Sequence, residues 1–265
     1  MSEAGTYRRV ALLGGVYSNY LALEAALKLV ENKVDAVFAL GDFGAFGPHP
    51  DRTLELLREK GVPAIQGNYE ESLATDTDDC HCGYTDPRDN HFARISYDYT
   101  KERTSSEHKR WMGTLPKTLR LRVGKSRVLL CHGSPRRINE FLWESATPVP
   151  FVRRLLAEHE TDVVACTHTG LHWKRWLAPG RGIVNAGALG RPANDGTPRV
   201  WATILEEADS VLDARFVPVD YDHERLAREM AEERLPSEFV ETARTGWWTT
   251  CLEAMPAKER AAGRF

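Results

Sequence analysis

A short apolar run at residues 34–40, VDAVFAL, stops at Gly41 and is followed at once by the carboxylate of Asp42. Branched and small apolar residues that end at a glycine predict a strand buried in a parallel or mixed sheet. The run at 8–13 and the helical spacing of apolar residues at 20–31 complete a strand–helix–strand unit. This unit predicts an α/β fold, with Asp42 at the carboxyl edge of the sheet, where such sheets bind ligands.

Three later segments with strand-like patterns also lead into side chains that bind metals. Asn68 follows the run 62–66, His132 follows 127–131, and His168 follows 162–166. Four potential ligands at successive strand ends, each beside Gly or Thr, are hard to obtain by chance. Imidazoles combined with oxygen donors suit a divalent transition metal. The sequence therefore predicts one metal site made of Asp42, Asn68, His132 and His168.

Length and charge limit the other classes of function. The chain has 265 residues and a net charge of −3, which suits one large domain, alone or with an appendage. This charge gives no general attraction to nucleic acid or to anionic membranes. Residues 1–9 lack the apolar core of a signal peptide, and no long apolar run follows. We therefore expect a cytoplasmic protein without membrane association.

The five cysteines, at 80, 82, 131, 166 and 251, are an odd number in a sizeable chain. A disulfide framework is not expected, and Cys131 and Cys166 lie in strand-like runs as core thiols. The segment 72–103 shows little periodicity and is dense in Asp, Thr and aromatic residues. We interpret it as a long loop that its aromatic side chains order into a lid.

The pattern from residue 219 onward is helical and highly charged, with a break at Pro236. It predicts a main domain at 1–218 and a helical C-terminal extension at 219–265. Trp247 and Trp248 predict that the tail docks on the domain or on a second subunit. The extension is therefore the expected contact if the chain forms a homo-oligomer.

Five segments, taken in order, resemble the calcineurin-like metallophosphoesterases over about residues 8–217: LGDFGAFGP, QGNYEE, LLCHGSP, THTG and NAGALGRP. The resemblance implies a four-layer α/β/β/α sandwich of two mixed sheets. It also implies hydrolysis of phosphomonoesters or phosphodiesters at a two-metal centre. The expected substrate is a small phosphorylated or nucleotide-like molecule. The expected cofactor is Mn, Fe, Zn or Ni, with one or two ions per chain.

The sequence departs from this family at one of the two metal positions. The first family motif is Asp-x-His, where this chain has Gly15-Val16-Tyr17, and the final His is replaced by Gly170. The residues lost belong to one metal, whereas the set for the other metal is intact. Tyr69 replaces the usual catalytic His of the family. These departures predict a remodelled site that holds one metal, with Tyr17 and Tyr69 facing the substrate.

Arg136 and Arg191 are the predicted substrate-binding cations, because a guanidinium can bond two phosphate oxygens. Replacement ligands for a second metal could come from Cys80, His81, Cys82, His91 or His172. His168 and His172 would share one face if the turn between them were helical. The sequence leaves open whether any of these residues binds the metal.

A metal-dependent phosphoric ester hydrolase, either phosphatase or phosphodiesterase, is the first interpretation. Two alternatives remain open at this point. Two histidines and one carboxylate are also the ligand type of non-haem Fe(II) sites, which would give a mononuclear iron lyase or oxidase on the same scaffold. A degenerate fold that binds a nucleotide or a partner protein is the other alternative.

Overall fold

The computed structural model of the protein describes residues 3–262, which form ten strands and nine helices. The strands are β1 (Glu3–Tyr7), β2 (Arg9–Leu13), β3 (Ala36–Ala39), β4 (Thr118–Val123), β5 (Ser126–Cys131), β6 (Val163–Cys166), β7 (His172–Ala178), β8 (Arg181–Ala186), β9 (Val200–Ala208) and β10 (Val211–Val219). The helices are α1 (Tyr20–Val30), α2 (Pro50–Glu59), α3 (Asn68–Ala74), α4 (Pro87–Arg103), α5 (Ser106–Met112), α6 (Val149–Glu158), α7 (His223–Glu232), α8 (Ser237–Thr245) and α9 (Ala257–Ala262). The predicted domain boundaries also include residues 1, 2 and 263–265, which lie outside the described residues.

Two mixed sheets organise the chain. The six-stranded sheet has the order β1-β4-β5-β6-β8-β7, with β5, β6 and β8 parallel to one another. The four-stranded sheet has the order β10-β9-β2-β3, in which β2 and β3 are parallel and β9 is antiparallel to both of its neighbours. The predicted strand–helix–strand unit is therefore present as β2–α1–β3. The predicted α/β fold with two mixed sheets is confirmed.

The two sheets bury their facing sides against each other. Leu12 and Phe38 of the smaller sheet belong to one apolar cluster with Leu130 and Val184 of the larger sheet. On the outer side of the larger sheet, Leu156 of α6 packs into a separate buried cluster. Helices α1 and α2 contribute to the large cluster outside the smaller sheet. The arrangement of helices, sheet, sheet and helices places the carboxyl ends of β3, β5 and β6 near one another.

The interpretation of 72–103 as one long loop was wrong, because residues 87–103 form helix α4. Asp86 caps this helix by accepting a hydrogen bond from the Arg88 N–H at 2.8 Å. Phe92 and Tyr97 are buried in the large core cluster. Two polar residues on the buried face, Ser96 and Thr100, obscured the helical periodicity in the sequence. Within residues 72–103, only 75–86 lie outside helices α3 and α4.

Two further expectations about local structure need correction. His172 begins strand β7, so the helical turn that would have put it on one face with His168 is absent from this segment. Residues 62–66, predicted as a strand, make only one β-bridge, in which Ala64 pairs with Ala39 at the end of β3. The chain then enters helix α3 directly, with Asn68 as its first residue.

The C-terminal helices α7 and α8 pack on the core that also contains α1 and α2. Met230 and Phe239 are buried in that common cluster. After α8 the chain returns toward the ends of the sheets, where Trp248 is buried and its indole N–H donates to the Pro192 carbonyl at 2.6 Å. None of the described helices has both the length and the apolar character needed to cross a membrane.

Candidate metal centre

Three of the four predicted ligands meet at the carboxyl ends of the strands. Ligand atoms of Asp42, His132 and His168 all lie within 4.8 Å of one another, and all three residues are buried. The His132 Nε2 atom is 3.2 Å from Asp42 Oδ2 and 3.1 Å from His168 Nδ1. Each side chain comes from a different strand end, so the fold itself assembles the group. Two imidazoles and one carboxylate converging in this way are typical of a transition-metal site.

A backbone hydrogen bond orients His132 toward this group. Its Nδ1 atom donates to the Leu40 carbonyl at 2.7 Å. This bond makes Nδ1 the donor to the backbone and directs Nε2 at Asp42 and His168. Metal-binding histidines are commonly held by such a bond from the second ring nitrogen.

Asn68, the fourth predicted ligand, precedes Tyr69, whose N–H donates to Asp42 Oδ1 at 3.2 Å. The Asn68 Nδ2 atom donates to the Cys80 carbonyl at 2.9 Å, which fixes the orientation of the amide. Its Oδ1 atom is buried and accepts no hydrogen bond from the described residues. A buried amide oxygen without a donor is costly, and a metal ion would satisfy it. The residues present therefore fit a divalent metal held by two nitrogen and two oxygen ligands.

The backbone around the site adopts conformations that are uncommon for residues with a side chain. Tyr17, Asp42 and His168 have φ angles of 51°, 55° and 68°, all in the left-handed region. Asp tolerates this region better than most residues, whereas a bulky Tyr adopts it rarely. Such conformations concentrate at functional sites and persist only where surrounding contacts impose them.

Glu70 imposes the conformation of the loop that carries Asp42. Its Oε2 atom accepts hydrogen bonds from the N–H groups of Asp42 and Gly67, each at 2.7 Å, and Oε1 accepts from Phe43 N–H at 2.9 Å. Burial, together with the charge of Asp42, raises the pKa of Glu70 to about 7. Glu70 was not predicted from the sequence, although a Glu three residues after a helix N-cap, here Gly67, is a recognised capping signal.

Electrostatics favour the metal-binding forms of Asp42 and His168, whereas they favour a proton on His132 that a bound metal would have to displace. Burial raises the pKa of the Asp42 carboxyl, but His132 outweighs this effect and holds that pKa below its ordinary value. Burial likewise opposes a charge on His132, yet Asp42 prevails and raises the His132 pKa. Burial, reinforced by His132, lowers the pKa of His168 to about 3. His168 is therefore a neutral imidazole at pH 7, with a lone pair available to a cation.

Aromatic rings occupy the space beside Gly15 and Gly170, the two positions at which the sequence resemblance led us to expect replaced ligands. A Cβ atom on Gly15 would lie 2.4 Å from the Tyr17 ring. A Cβ atom on Gly170 would lie 2.9 Å from the Trp248 ring, and Gly170 has a φ of 76°. Side chains at these two positions would therefore clash with Tyr17 and Trp248.

A narrow cavity of about 60 Å³ opens onto Asp42 and His168. Tyr17, Tyr69 and Arg191 also line it, so the structure brings these three predicted residues to the metal ligands. The remaining lining residues come mainly from α4, α8 and the segment after α8. They are Ala45, Phe46, Cys82, Tyr84, Phe92, Ala93, Ser96, Phe239, Thr250 and Cys251.

Arg191 and Arg136, the two predicted cations, have different surroundings. The Arg191 guanidinium stacks on Trp248 at 3.8 Å and donates to the Thr250 carbonyl at 2.9 Å. Its buried Nε atom has no hydrogen-bond partner among the described residues. Arg136 pairs with Glu140 at 3.5 Å and is absent from the cavity lining. Only Arg191 is placed to meet an anion at this site.

The cysteines differ in part from expectation. Cys80 and Cys82 form a disulfide, which the odd cysteine count did not predict. Cys131 and Cys166 are buried free thiols, as predicted. The pairing arises because the turn between α3 and α4 brings together two residues that are separated by only one position.

The other histidines considered as ligands lie apart from the group. His81 is exposed beside Asp79, with 3.7 Å between His81 Nδ1 and Asp79 Oδ2, and His91 is exposed against the Phe92 ring. His172 lies between the rings of Trp201 and Phe216, with centroid distances of 4.5 and 4.6 Å. None of these three belongs to a metal-binding group within residues 3–262.

The comparison with known proteins agrees with this geometry. Residues 9–209 match the Calcineurin-like phosphoesterase superfamily domain. The match covers most of the chain, so the protein belongs to this superfamily, and a phosphoesterase type of function follows from that membership. Members of the family generally bind divalent metals, which is consistent with the Asp42, His132 and His168 group.

Three similar proteins extend over nearly the whole chain. A metallophosphoesterase from Sphaerobacter thermophilus has 25% identity and a TM-score of 0.65, covering 91% of this chain and 99% of its own. A hypothetical protein from Pyrococcus horikoshii has 20% identity and a TM-score of 0.76, covering 92% and 100%. An uncharacterised protein from Methanocaldococcus jannaschii has 23% identity, covering 86% of this chain and 93% of its own.

Proposed function

We propose that the protein is a metal-dependent phosphoric ester hydrolase with one divalent metal held by Asp42, Asn68, His132 and His168. The observation that carries the proposal is the buried convergence of Asp42, His132 and His168 within 4.8 Å. The buried, unpartnered oxygen of Asn68 supports it. A divalent metal bound there supplies a Lewis acid for a phosphoryl oxygen and lowers the pKa of water.

The side chains around the cavity have distinct tasks in this proposal. Burial raises the pKa of Tyr17 above its ordinary value, so its hydroxyl stays protonated and can donate to a phosphoryl or leaving oxygen. Tyr69 is held by a 3.1 Å hydrogen bond from its hydroxyl to Ser96 Oγ, which fixes the ring in the wall. Arg191 contributes a permanent positive charge, and its free Nε–H is available to a phosphate oxygen.

The lining also bears on the class of substrate. Phe46, Tyr84, Phe92 and Phe239 provide aromatic rings in the lining, together with the metal ligands Asp42 and His168 and the cation Arg191. The cavity of about 60 Å³ has room for little more than a phosphoryl group, so the rest of the substrate would lie outside it. We propose a small phosphorylated substrate, such as a nucleotide-like phosphate ester, with its phosphate in the cavity.

The test is hydrolysis of p-nitrophenyl phosphate and bis(p-nitrophenyl) phosphate by metal-stripped protein reloaded with manganese, zinc or iron. Because a Lewis acid contributes several kcal/mol, we expect His168→Ala to lower turnover by about 100-fold or more. The matched control is His91→Ala, which removes an exposed histidine outside the ligand group. Comparison of the two esters decides between phosphatase and phosphodiesterase.

Equal activity of His168→Ala and wild type would contradict the proposal. The iron alternative rests on the same two histidines and one carboxylate, and the assay separates it. If reloaded protein hydrolyses neither ester but consumes oxygen only with iron, the mononuclear iron enzyme replaces the hydrolase. Absence of both activities would favour a binding protein.

A further inference from the structure

We propose that Cys82 is an additional, redox-controlled ligand of this metal centre, released to bind when the Cys80–Cys82 disulfide is reduced. The inference rests on the proposed metal site and adds to it a sulfur donor. It predicts two states of one centre: a nitrogen- and oxygen-only ligand set in the oxidised protein, and a set with one thiolate in the reduced protein.

The position of the disulfide beside a ligand is the first observation. Asn68 Nδ2 lies 3.5 Å from Cys82 Sγ and donates to the Cys80 carbonyl at 2.9 Å. The amide of this proposed ligand, whose oxygen is buried without a partner among the described residues, therefore contacts both cysteines with its nitrogen. Reduction of the disulfide therefore changes the contacts of Asn68, which is itself a proposed ligand.

The two cysteines are not equivalent. Cys82 lines the cavity together with Asp42 and His168. Cys80 is only 2% exposed, belongs to the large apolar cluster, and is absent from the lining of this cavity. Of the two cysteines released when the bond is broken, only Cys82 lines the cavity onto which Asp42 and His168 open.

The loop carrying Cys82 is held against the centre by contacts other than the disulfide. Asn139 Nδ2 donates to the His81 carbonyl at 2.8 Å. Phe141 stacks on His168 with a centroid distance of 4.4 Å and packs against Tyr84 at 5.6 Å. Asn139 thus holds the residue before Cys82, and Phe141 contacts both His168 and Tyr84 on the other side of Cys82. These contacts keep Cys82 near the metal after reduction.

The chemistry balances with a dithiol as reductant. The dithiol delivers two electrons and two protons, the Cys80–Cys82 sulfur–sulfur bond breaks, two thiols form, and the dithiol becomes a disulfide. The Cys82 thiol then loses its proton to solvent as the sulfur binds the metal. A thiolate is a soft ligand, so reduction shifts the preference of the centre from manganese toward zinc, iron or cobalt.

The experiment uses cobalt as a spectroscopic probe in the metal-stripped full chain without oxygen. A thiolate bound to Co(II) gives a charge-transfer band in the near ultraviolet, which imidazole and oxygen ligands do not give. We expect the oxidised protein to bind cobalt without this band. The band should appear after reduction by a dithiol that is then removed. Thiol titration in denaturant follows the reduction, because three cysteines are free before it and all five after it.

Matched variants identify the sulfur. Cys80→Ser frees Cys82 and should show the band without any reductant, whereas Cys82→Ser should bind cobalt but never show it. Cys251→Ser removes the other free thiol at the cavity and should behave as wild type. A band that persists in Cys82→Ser, or cobalt bound to reduced wild type without a band, overturns the inference. No cobalt binding by wild type in either redox state refutes the metal centre itself, and the inference with it.

Discussion

Replacement of Glu70 by Ala tests whether one buried carboxylate holds the loop that presents Asp42. The substitution removes the acceptor of three buried N–H groups, those of Asp42, Phe43 and Gly67. At about 2 kcal/mol for each buried donor left unsatisfied, the loss is about 6 kcal/mol. A Glu70 pKa of about 7 in place of 4.5 means that the charge itself costs about 3 kcal/mol at neutral pH. The expected net loss of stability is therefore about 3 kcal/mol.

The assay is urea denaturation of the metal-free protein at pH 7. Glu71→Ala is the matched control, because the neighbouring Glu71 makes only a surface ion pair with Lys117, and such pairs contribute up to about 1 kcal/mol. The reasoning is refuted if Glu70→Ala and Glu71→Ala differ by less than about 1 kcal/mol.

The pH dependence gives a second check on the same variant. The pKa of Glu70 is raised in the folded state, so ionisation at this position lowers wild-type stability as pH rises from 4.5 to about 7. The Glu70→Ala variant lacks this loss. Its deficit relative to wild type should therefore be larger at pH 5 than at pH 8. A deficit that grows with rising pH would contradict the assigned pKa shift.

Three further predictions follow from the same geometry. Zinc binding should release a proton, because Asp42 raises the pKa of His132 and the metal must displace that proton. Calorimetry in buffers of different ionisation enthalpy measures the release, which should be smaller in Asp42→Asn. Zinc at about 100 times its Kd should raise the free energy of unfolding of wild type by about 2.7 kcal/mol, measured by thermal unfolding. This increase should be lost in His168→Ala but retained in His172→Ala. Arg191→Ala should lower kcat/KM for a phosphate ester by about 10- to 100-fold, because a charged hydrogen bond contributes about 1.5–3 kcal/mol. Arg136 lies outside the cavity, so Arg136→Ala should change kcat/KM less than about twofold. Unchanged proton release, an equal zinc gain in both histidine variants, or equal effects of the two arginine changes would each contradict the corresponding assignment.

The convergence of Asp42, His132 and His168 was predictable because each one follows a segment with a clear apolar strand pattern. Asp42 lies just beyond β3 of the smaller sheet, and His132 and His168 lie just beyond the parallel strands β5 and β6 of the larger sheet. Apolar runs predict individual buried strands in this way. The arrangement of two mixed sheets was predicted only from the resemblance to the metallophosphoesterases.

Helix α4 was not predictable from periodicity, because its buried face includes residues that serve hydrogen bonding. Ser96 Oγ accepts from the Phe46 N–H at 2.9 Å, and Thr100 Oγ1 accepts from the Ala45 N–H at 3.1 Å. These hydroxyl groups accept hydrogen bonds from the backbone of the loop after Asp42. The buried face of α4 therefore contains polar residues where a core helix would have apolar ones. A hydrophobic pattern cannot register that requirement.

Contacts between distant parts of the chain were also beyond the sequence. The lack of a side chain at Gly170 could be read from the sequence, but not the fact that Trp248 packs over it. The position of Arg191 likewise depends on Trp248 and Thr250 of the C-terminal segment. Such packing is decided by tertiary structure, and local propensity carries no signal for it.

The most direct test of the metal centre is elemental analysis of protein purified without added metal, for manganese, iron, zinc and nickel per chain. We expect about one ion per chain in wild type and almost none in His132→Ala, with circular dichroism as the check that the variant is folded. Full metal content in His132→Ala would place the metal elsewhere. About two ions per chain in wild type would show that a second position has been rebuilt and would contradict a mononuclear site.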